Sequence, residues 1–313
     1  MKISSYRQVP FKLVCEQTVD LLICSSGYED RSTYLASKLD ATKIKEKVAI
    51  EFNDNGDAFS RKRNDQFFAT NGFSTIRSDG DFENEIIHFL EKFMSRVERP
   101  EVRIVVDYSS MTRIWYSGIL RFFRDASFEV AVSISFCYSI AKFVSAPEPR
   151  SYNIHIGPIK GFSGFSVPQM PTALIIGLGY EKNRAIGLTE YLDAETFLFI
   201  TDGSKVREYS EEVLQKNIVL MSKIKNENIF FYPINQLELT AALLISLYEN
   251  LSVRYRIVVA PCGPKPFTFL SLFTSLLKGD IDVWRISSGK ESIPVNKTAE
   301  GEIVVFDVVF GSL

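Results

Sequence analysis

Thr18-Val-Asp-Leu-Leu-Ile-Cys-Ser-Ser-Gly-Tyr-Glu-Asp-Arg31 and Pro171-Thr-Ala-Leu-Ile-Ile-Gly-Leu-Gly-Tyr-Glu-Lys-Asn-Arg184 decide the fold. Each is an apolar run, a turn of small residues, then Gly-Tyr-Glu, with an arginine soon after. Gly27 and Gly179 are 152 residues apart, and Arg31 and Arg184 are 153 apart. A second pair keeps this spacing: Arg103-Ile-Val-Val106 and Arg256-Ile-Val-Val259 are also 153 apart. Shared apolar strands explain Ile-Val-Val, but not Gly-Tyr-Glu at a constant distance from it. The chain reads as a tandem duplication.

Hydrophobic periodicity agrees. The first copy predicts strands over 19–24, 48–52, 102–106 and 128–136, with helices over about 31–39, 83–97 and 112–123. The second predicts strands over 173–176, 196–200, 229–232, 256–259 and 281–286, with helices near 184–192, 209–215, 237–251 and 267–277. Strands alternating with helices give an α/β fold of two tandem Rossmann-like domains with mainly parallel sheets. Residues 146–171 hold five of the twelve prolines and read as the connector. The expected domains are 1–160 and 161–313. Ile154-His-Ile156 is left open as a short strand of the first domain, and Ile303–Phe310 as an added edge or hairpin strand.

The 313 residues are long enough for two domains. Lys+Arg 36 against Asp+Glu 38 gives a net charge of −2, so bulk electrostatics draws the chain to neither nucleic acid nor an anionic membrane. The most apolar helix-like run, Pro266–Leu277, is too short to span a bilayer, and the first residues lack a signal-peptide core. The four cysteines form no C-x-x-C pair, and Cys24 and Cys137 sit in apolar runs as small hydrophobes. With two histidines, His88 and His155, a Ser-His-Asp triad or histidine-rich metal site has little material. These features imply a soluble, cytoplasmic protein without a metal.

Parallel sheets bind ligands beyond the carboxyl ends of their strands. There the first copy places Ser25, Ser26, Gly27, Tyr28, Glu29 and Arg31, and, after its strand over 102–106, Asp107, Ser109, Ser110, Thr112 and Arg113. The second copy places Gly177, Gly179, Tyr180, Glu181 and Arg184, then Cys262, Gly263 and Lys265. Glycine permits close backbone approach, helix N-termini attract anions, and the cations suit phosphate. Structural alternatives stand beside these readings: glutamate–arginine ion pairs after each first strand, an Asp107–Arg113 pair, and serine caps. Arg61-Lys62-Arg63 reads as a solvated helix face. Gly177-Leu-Gly179 lacks the third glycine of a dinucleotide fingerprint, although Asp202 ends the next strand, and there is no Walker A sequence.

The turn Asp107-Tyr-Ser-Ser-Met-Thr-Arg113 and its counterpart Cys262-Gly-Pro-Lys265, following Ser25-Ser-Gly27 and Gly177-Leu-Gly179, resemble the CARF superfamily of Rossmann-like sensors and the related SAVED domain. That resemblance implies binding of a nucleotide or cyclic oligonucleotide second messenger in prokaryotic antiviral defence. The two copies take up nearly the whole chain, so the expected effector is a separate protein or another copy of this chain, and no other cofactor is expected. If the two mouths face one another, Arg31, Arg113, Arg184 and Lys265 would surround a polyanion, with Tyr28 and Tyr180 stacking on bases. The alternatives are a nucleotide- or nucleic-acid-processing enzyme of the phosphodiesterase or ring-nuclease kind, with Glu29, Asp107, Arg113 and Lys265 as candidates, and a structural assembly subunit.

Overall fold

The computed structural model describes residues 1–145, 155–165, 169–180, 184–287 and 294–311. They divide into two compact units, Met1–Lys142 with Pro294–Leu313, and Phe143–Ile293.

The first unit contains β1 (Lys2–Val9), α1 (Phe11–Glu16), β2 (Val19–Ser26), α2 (Tyr34–Lys38), β3 (Ile44–Phe52), α3 (Arg61–Thr70), β4 (Ser74–Ser78), α4 (Asn84–Met94), β5 (Glu101–Asp107), α5 (Arg113–Asp125) and β6 (Ala131–Ala141). The second contains β7 (His155–Pro158), β8 (Thr172–Gly177), α6 (Arg184–Leu192), β9 (Glu195–Thr201), α7 (Arg207–Lys216), α8 (Ile218–Met221), β10 (Ile229–Tyr232), α9 (Leu237–Leu251), β11 (Arg256–Pro261), α10 (Lys265–Lys278) and β12 (Ile281–Ser287). A last strand, β13 (Ala299–Gly311), returns to the first unit.

The seven-stranded sheet runs β1-β13-β6-β5-β2-β3-β4 and the six-stranded sheet β10-β9-β8-β11-β12-β7. From β4 through β6, and from β10 through β12, the order is the same and every pairing is parallel. Register repeats as well. Leu21 stands opposite Ile104 in the first unit, and Ala173 opposite Ile257 in the second. These are the 152- and 153-residue offsets read from the sequence, now seen as one strand register kept in both copies.

Central strands are apolar on both faces because helices cover both sides of a parallel sheet. All eight residues of β2 are buried, whereas edge strand β1 is mostly exposed. Cys24 and Cys137 are wholly buried, as their apolar setting predicts, and burial pushes both thiols well above their usual pKa. The thiols pack with Leu22, Leu35, Ala49, Phe68, Val105 and Val305.

The predicted boundary at residue 160 is corrected by two strands. β7 pairs antiparallel with β12, so it belongs to the second unit and not the first. β13, expected in the second domain, lies between β1 and β6 of the first sheet. The strand that follows the last parallel strand of each copy therefore pairs in the other copy's sheet. Even this exchange keeps register. Ser139 pairs with Ile303 and Ile286 with Ile156; Ser139 and Ile286 are 147 residues apart, and so are Ile156 and Ile303.

Because β13 is an interior strand, a chain ending at residue 293 leaves β1 and β6 without their shared partner. It is expected to aggregate, since unpaired apolar edges template association. A peptide of residues 294–313 supplied during refolding should restore a monomer. Size-exclusion chromatography and far-ultraviolet circular dichroism check this; a soluble, fully folded truncation would contradict it.

Candidate functional site

The chain runs from β2 to β3 to β4 on one side, then crosses to β5 on the other side of β2. The carboxyl ends of β2 and β5 thus flank a topological switch point, where open α/β sheets bind ligands. In the second unit β8 and β11 occupy the same places. All the sequence-predicted site residues that lie among the described residues fall on the turns at these two points. Glu181 lies outside them.

The first cleft is built around Arg31, in a 3₁₀ turn (Asp30–Thr33) after β2. Its side chain is 0% exposed. Nε donates to Glu29 at 2.7 Å, Nη1 to the Ser139 carbonyl at 2.8 Å and Nη2 to the Ser109 carbonyl at 2.9 Å. The Tyr138 ring lies 5.0 Å from the guanidinium carbon. Burial opposes the charge, but Glu29 and Tyr138 more than offset it and raise the Arg31 pKa. The expectation that Arg31 meets a ligand is corrected: its donors are taken up by protein oxygens, and the alternative of a Glu29–Arg31 ion pair holds. Arg31 joins the ends of β2, β5 and β6 from inside.

The remaining polar groups fix these turns. Ser32 Oγ donates to the Ser25 carbonyl and accepts from the Gly27 amide. Ser26 Oγ donates to Asp65, and Ser110 Oγ to Glu29. Asp107 accepts from the Ser109 amide at 3.0 Å, and Ser109 Oγ accepts from the Ser139 amide at 2.8 Å. Thr112 caps α5 by accepting from the Trp115 amide. The Arg61-Lys62-Arg63 run is only partly solvated: Arg61 is buried against Asp65 and the Asp54 carbonyl.

A smaller set gathers around one aromatic ring. The Phe52 ring, at the end of β3, lies beside both Gly27 and Gly80; a methyl group on either would sit 3.4 Å from it. Its ring centroid is 4.2 Å from that of Trp115. A methyl at Gly27 would also lie 3.8 Å from Ser110 Cβ, and one at Gly80 3.1 Å from the Thr112 methyl. Gly27, Phe52, Gly80, Ser110 and Thr112 therefore converge from four strand ends. Tyr28 is half-buried, its ring 6.1 Å from that of Phe59. Arg113, the first residue of α5, is half-buried and its side chain has no hydrogen-bond or ion-pair partner among the described residues. The anticipated Asp107–Arg113 pair is not formed.

The second cleft is closed. The Cys262 amide donates to the Gly177 carbonyl at 2.9 Å, tying the two turns directly. A methyl at Gly179 would lie 2.2 Å from the Cys262 carbonyl oxygen, one at Gly263 2.5 Å from that of Leu178, and one at Gly177 2.2 Å from the Phe267 ring. These glycines admit neighbouring protein atoms, not a ligand. Tyr180 packs edge-on against Tyr209, with Lys216 Nζ 5.8 Å from its ring centre. Arg184 and Lys265, the first residues of α6 and α10, are half-buried and, unlike Arg113, already engaged.

Two groups escaped sequence reasoning. Asn64 donates to the Gly27 carbonyl at 2.8 Å and Asn217 to the Gly179 carbonyl at 2.9 Å, both from buried positions. They stand 153 residues apart, the same spacing as Arg31 and Arg184 and as the two Arg-Ile-Val-Val runs, so that spacing also marks these asparagines. Phe52 and Gly80 carried no motif. Among the described residues no cluster of three or more His, Cys, Asp or Glu side chains could hold a metal ion. No described helix is long and apolar enough to cross a membrane.

No protein-family model and no curated protein matches the sequence. Among solved structures, the chain is similar to the cytoplasmic domain of a prokaryotic cation chloride cotransporter, at 12% identity over 88% of this chain and 98% of that one, with a TM-score of 0.25.

Removing one partner of a buried ion pair strands the other charge, at a cost of about 3–5 kcal/mol. Arg31→Ala is therefore expected to lose about that much stability in urea unfolding. The glycines should separate the clefts. Gly179→Ala and Gly263→Ala each force backbone apart and should cost about 1–3 kcal/mol. Gly27→Ala, which meets only ordinary contacts, should cost clearly less in the same assay.

Proposed function

We propose that the chain is a nucleotide-sensing module that binds a nucleotide or cyclic oligonucleotide in the first cleft and signals to a partner effector. Antiviral defence is the setting that the resemblance to CARF and SAVED sensors implies. The observation that carries the reading is Arg113. A cation at the first position of a helix sits at the positive end of the helix dipole, which disfavours it. Half-burial with no counter-ion among the described residues adds to that cost. An anion in the cleft reverses both terms, because it meets the guanidinium together with the first amides of α5 that the Thr112 cap leaves over.

Aromatic surface favours a nucleotide over a bare anion. The half-buried Phe52 ring beside Gly27 and the half-buried Tyr28 on the adjoining turn put aromatic side chains at this point; stacking of a base on such a ring contributes about 1–3 kcal/mol. The state of the carboxylates supports sensing over turnover. Glu29 accepts from Arg31 and Ser110, and Asp107 from the Ser109 amide, so both already serve the scaffold. The closed second cleft supports one ligand per chain.

A thermal-shift panel of mono-, di- and cyclic oligonucleotides tests this. A ligand at 100 times its Kd adds about 2.7 kcal/mol of stability. Arg113→Ala should weaken binding about ten- to hundredfold while leaving the fold intact, as loss of a charge-assisted hydrogen bond of about 1.5–3 kcal/mol predicts. Lys265→Ala should bind as the wild type does, and the ligand should be recovered intact by chromatography. A panel in which nothing binds, or an Arg113→Ala protein of unchanged affinity, would sink the reading.

A further inference from the structure

The turn that bounds the first cleft is gripped by a segment far away in sequence. The Asp30 amide donates to Asn296 Oδ1 at 2.9 Å, and the Arg31 amide to the Lys297 carbonyl at 3.1 Å. Thr298 Oγ1 donates to Asp30 Oδ2 at 3.3 Å, and the Thr298 carbonyl accepts from the Lys142 amide at 2.9 Å. Asp30 also accepts from Ser60 Oγ and, at 3.2 Å, from Arg63. One carboxylate thus joins the β2 turn, the start of α3 and the lead-in to β13.

We infer that Asn296, Lys297 and Thr298 are positioning residues of the first cleft: they hold the turn carrying Gly27 and Tyr28, so that the cleft is complete only when this segment is docked. The inference rests on the ligand reading of that cleft. Its functional content comes from chain order. Residues up to 293 belong to the second unit, and the docked segment starts at 294. A ligand that stiffens the Gly27 turn stabilises the docked segment, and by linkage a change that pulls on the segment weakens the ligand. The segment is therefore a covalent route by which occupancy of the first cleft reaches the second unit.

The test compares the full-length wild type with Asn296→Ala/Thr298→Val by amide hydrogen exchange without ligand, and by titration with inorganic pyrophosphate. The variant should exchange about tenfold faster at Asp30, Arg31 and Gly27, as loss of the side-chain hydrogen bonds implies. Core amides of β5 and β6 should be unchanged, and pyrophosphate affinity should fall about tenfold. Restoring the hydroxyl and amide with Asn296 and Thr298→Ser should recover both. Faster exchange confined to Asp30 and Arg31 would overturn the inference, as would equal acceleration throughout β5 and β6, or unchanged affinity in a variant whose turn has loosened. If pyrophosphate fails to bind the wild type, the anion reading of the cleft falls, and exchange at Gly27 then decides the positioning role by itself.

Discussion

The first unit turns on one buried guanidinium. Parallel strands end in turns whose carbonyls have no partner within the sheet, and a switch point puts two such turns side by side. Arg31 answers this with donors in a fixed planar fork, one to the Ser139 carbonyl, one to the Ser109 carbonyl and one to Glu29. A lysine could not do the same, because its donors share one point. Glu29 compensates the charge in place. The carbonyls and carboxylate around it are thereby satisfied from within the protein, while Phe52, Thr112 and Arg113 stay half-buried.

The two copies solve the same problem differently. In the second, the turns close directly on one another through the Cys262 amide and three glycines packed against Cys262, Leu178 and Phe267. Backbone-to-backbone closure needs no side chain in the crevice and leaves little room for a ligand. In the first, Ser25 and Ser110 stand where the second has Gly177 and Gly263, and Gly27 keeps ordinary contact distances. The shared asparagines, Asn64 and Asn217, hold the glycine carbonyl in both states.

Strong periodicity and repetition made the parallel cores legible in the sequence. Helices over 184–192 and 237–251 and the strand over 229–232 follow the predicted bounds, because apolar spacing alone sets them. β4 was not visible, since Ser74-Thr-Ile-Arg-Ser78 is an edge strand with one apolar side chain. α3 was obscured by its polar face, and Arg61 by the assumption that consecutive cations are solvated. The partner of a strand is a different kind of fact. Nothing local in Ile303–Phe310 distinguishes a hairpin with β12 from a return to β6. The glycines carried a further ambiguity: close approach of a ligand and close approach of neighbouring backbone demand the same residue, and the sequence does not tell that a methyl at Gly179 would meet backbone at 2.2 Å while one at Gly27 would keep contacts of 3.4 Å or more.

The return of β13 has a consequence for how the chain reaches its fold. Lys2 pairs with Gly311, so the first sheet closes through contacts about as non-local as the chain allows. Such closure is entropically costly before it is rewarded, and it slows folding. Until it happens, β6 presents an unpaired edge whose inner residues are almost all buried in the final sheet. Pairing must also find one register, because a shift by a single residue turns every side chain to the opposite face. Ser135 and Asp307 supply a marker. They stand opposite each other within apolar strands, and Ser135 donates to the carboxylate at 2.7 Å. Burial raises the Asp307 pKa, partly countered by that hydrogen bond and by the Arg7 and Arg103 charges. Where the two residues fail to meet, the buried Ser135 hydroxyl loses its partner, and an unmade buried hydrogen bond costs stability. A polar pair of this kind penalises slipped registers more than it strengthens the correct one, which is what a strand arriving late, from the far end of the chain, requires.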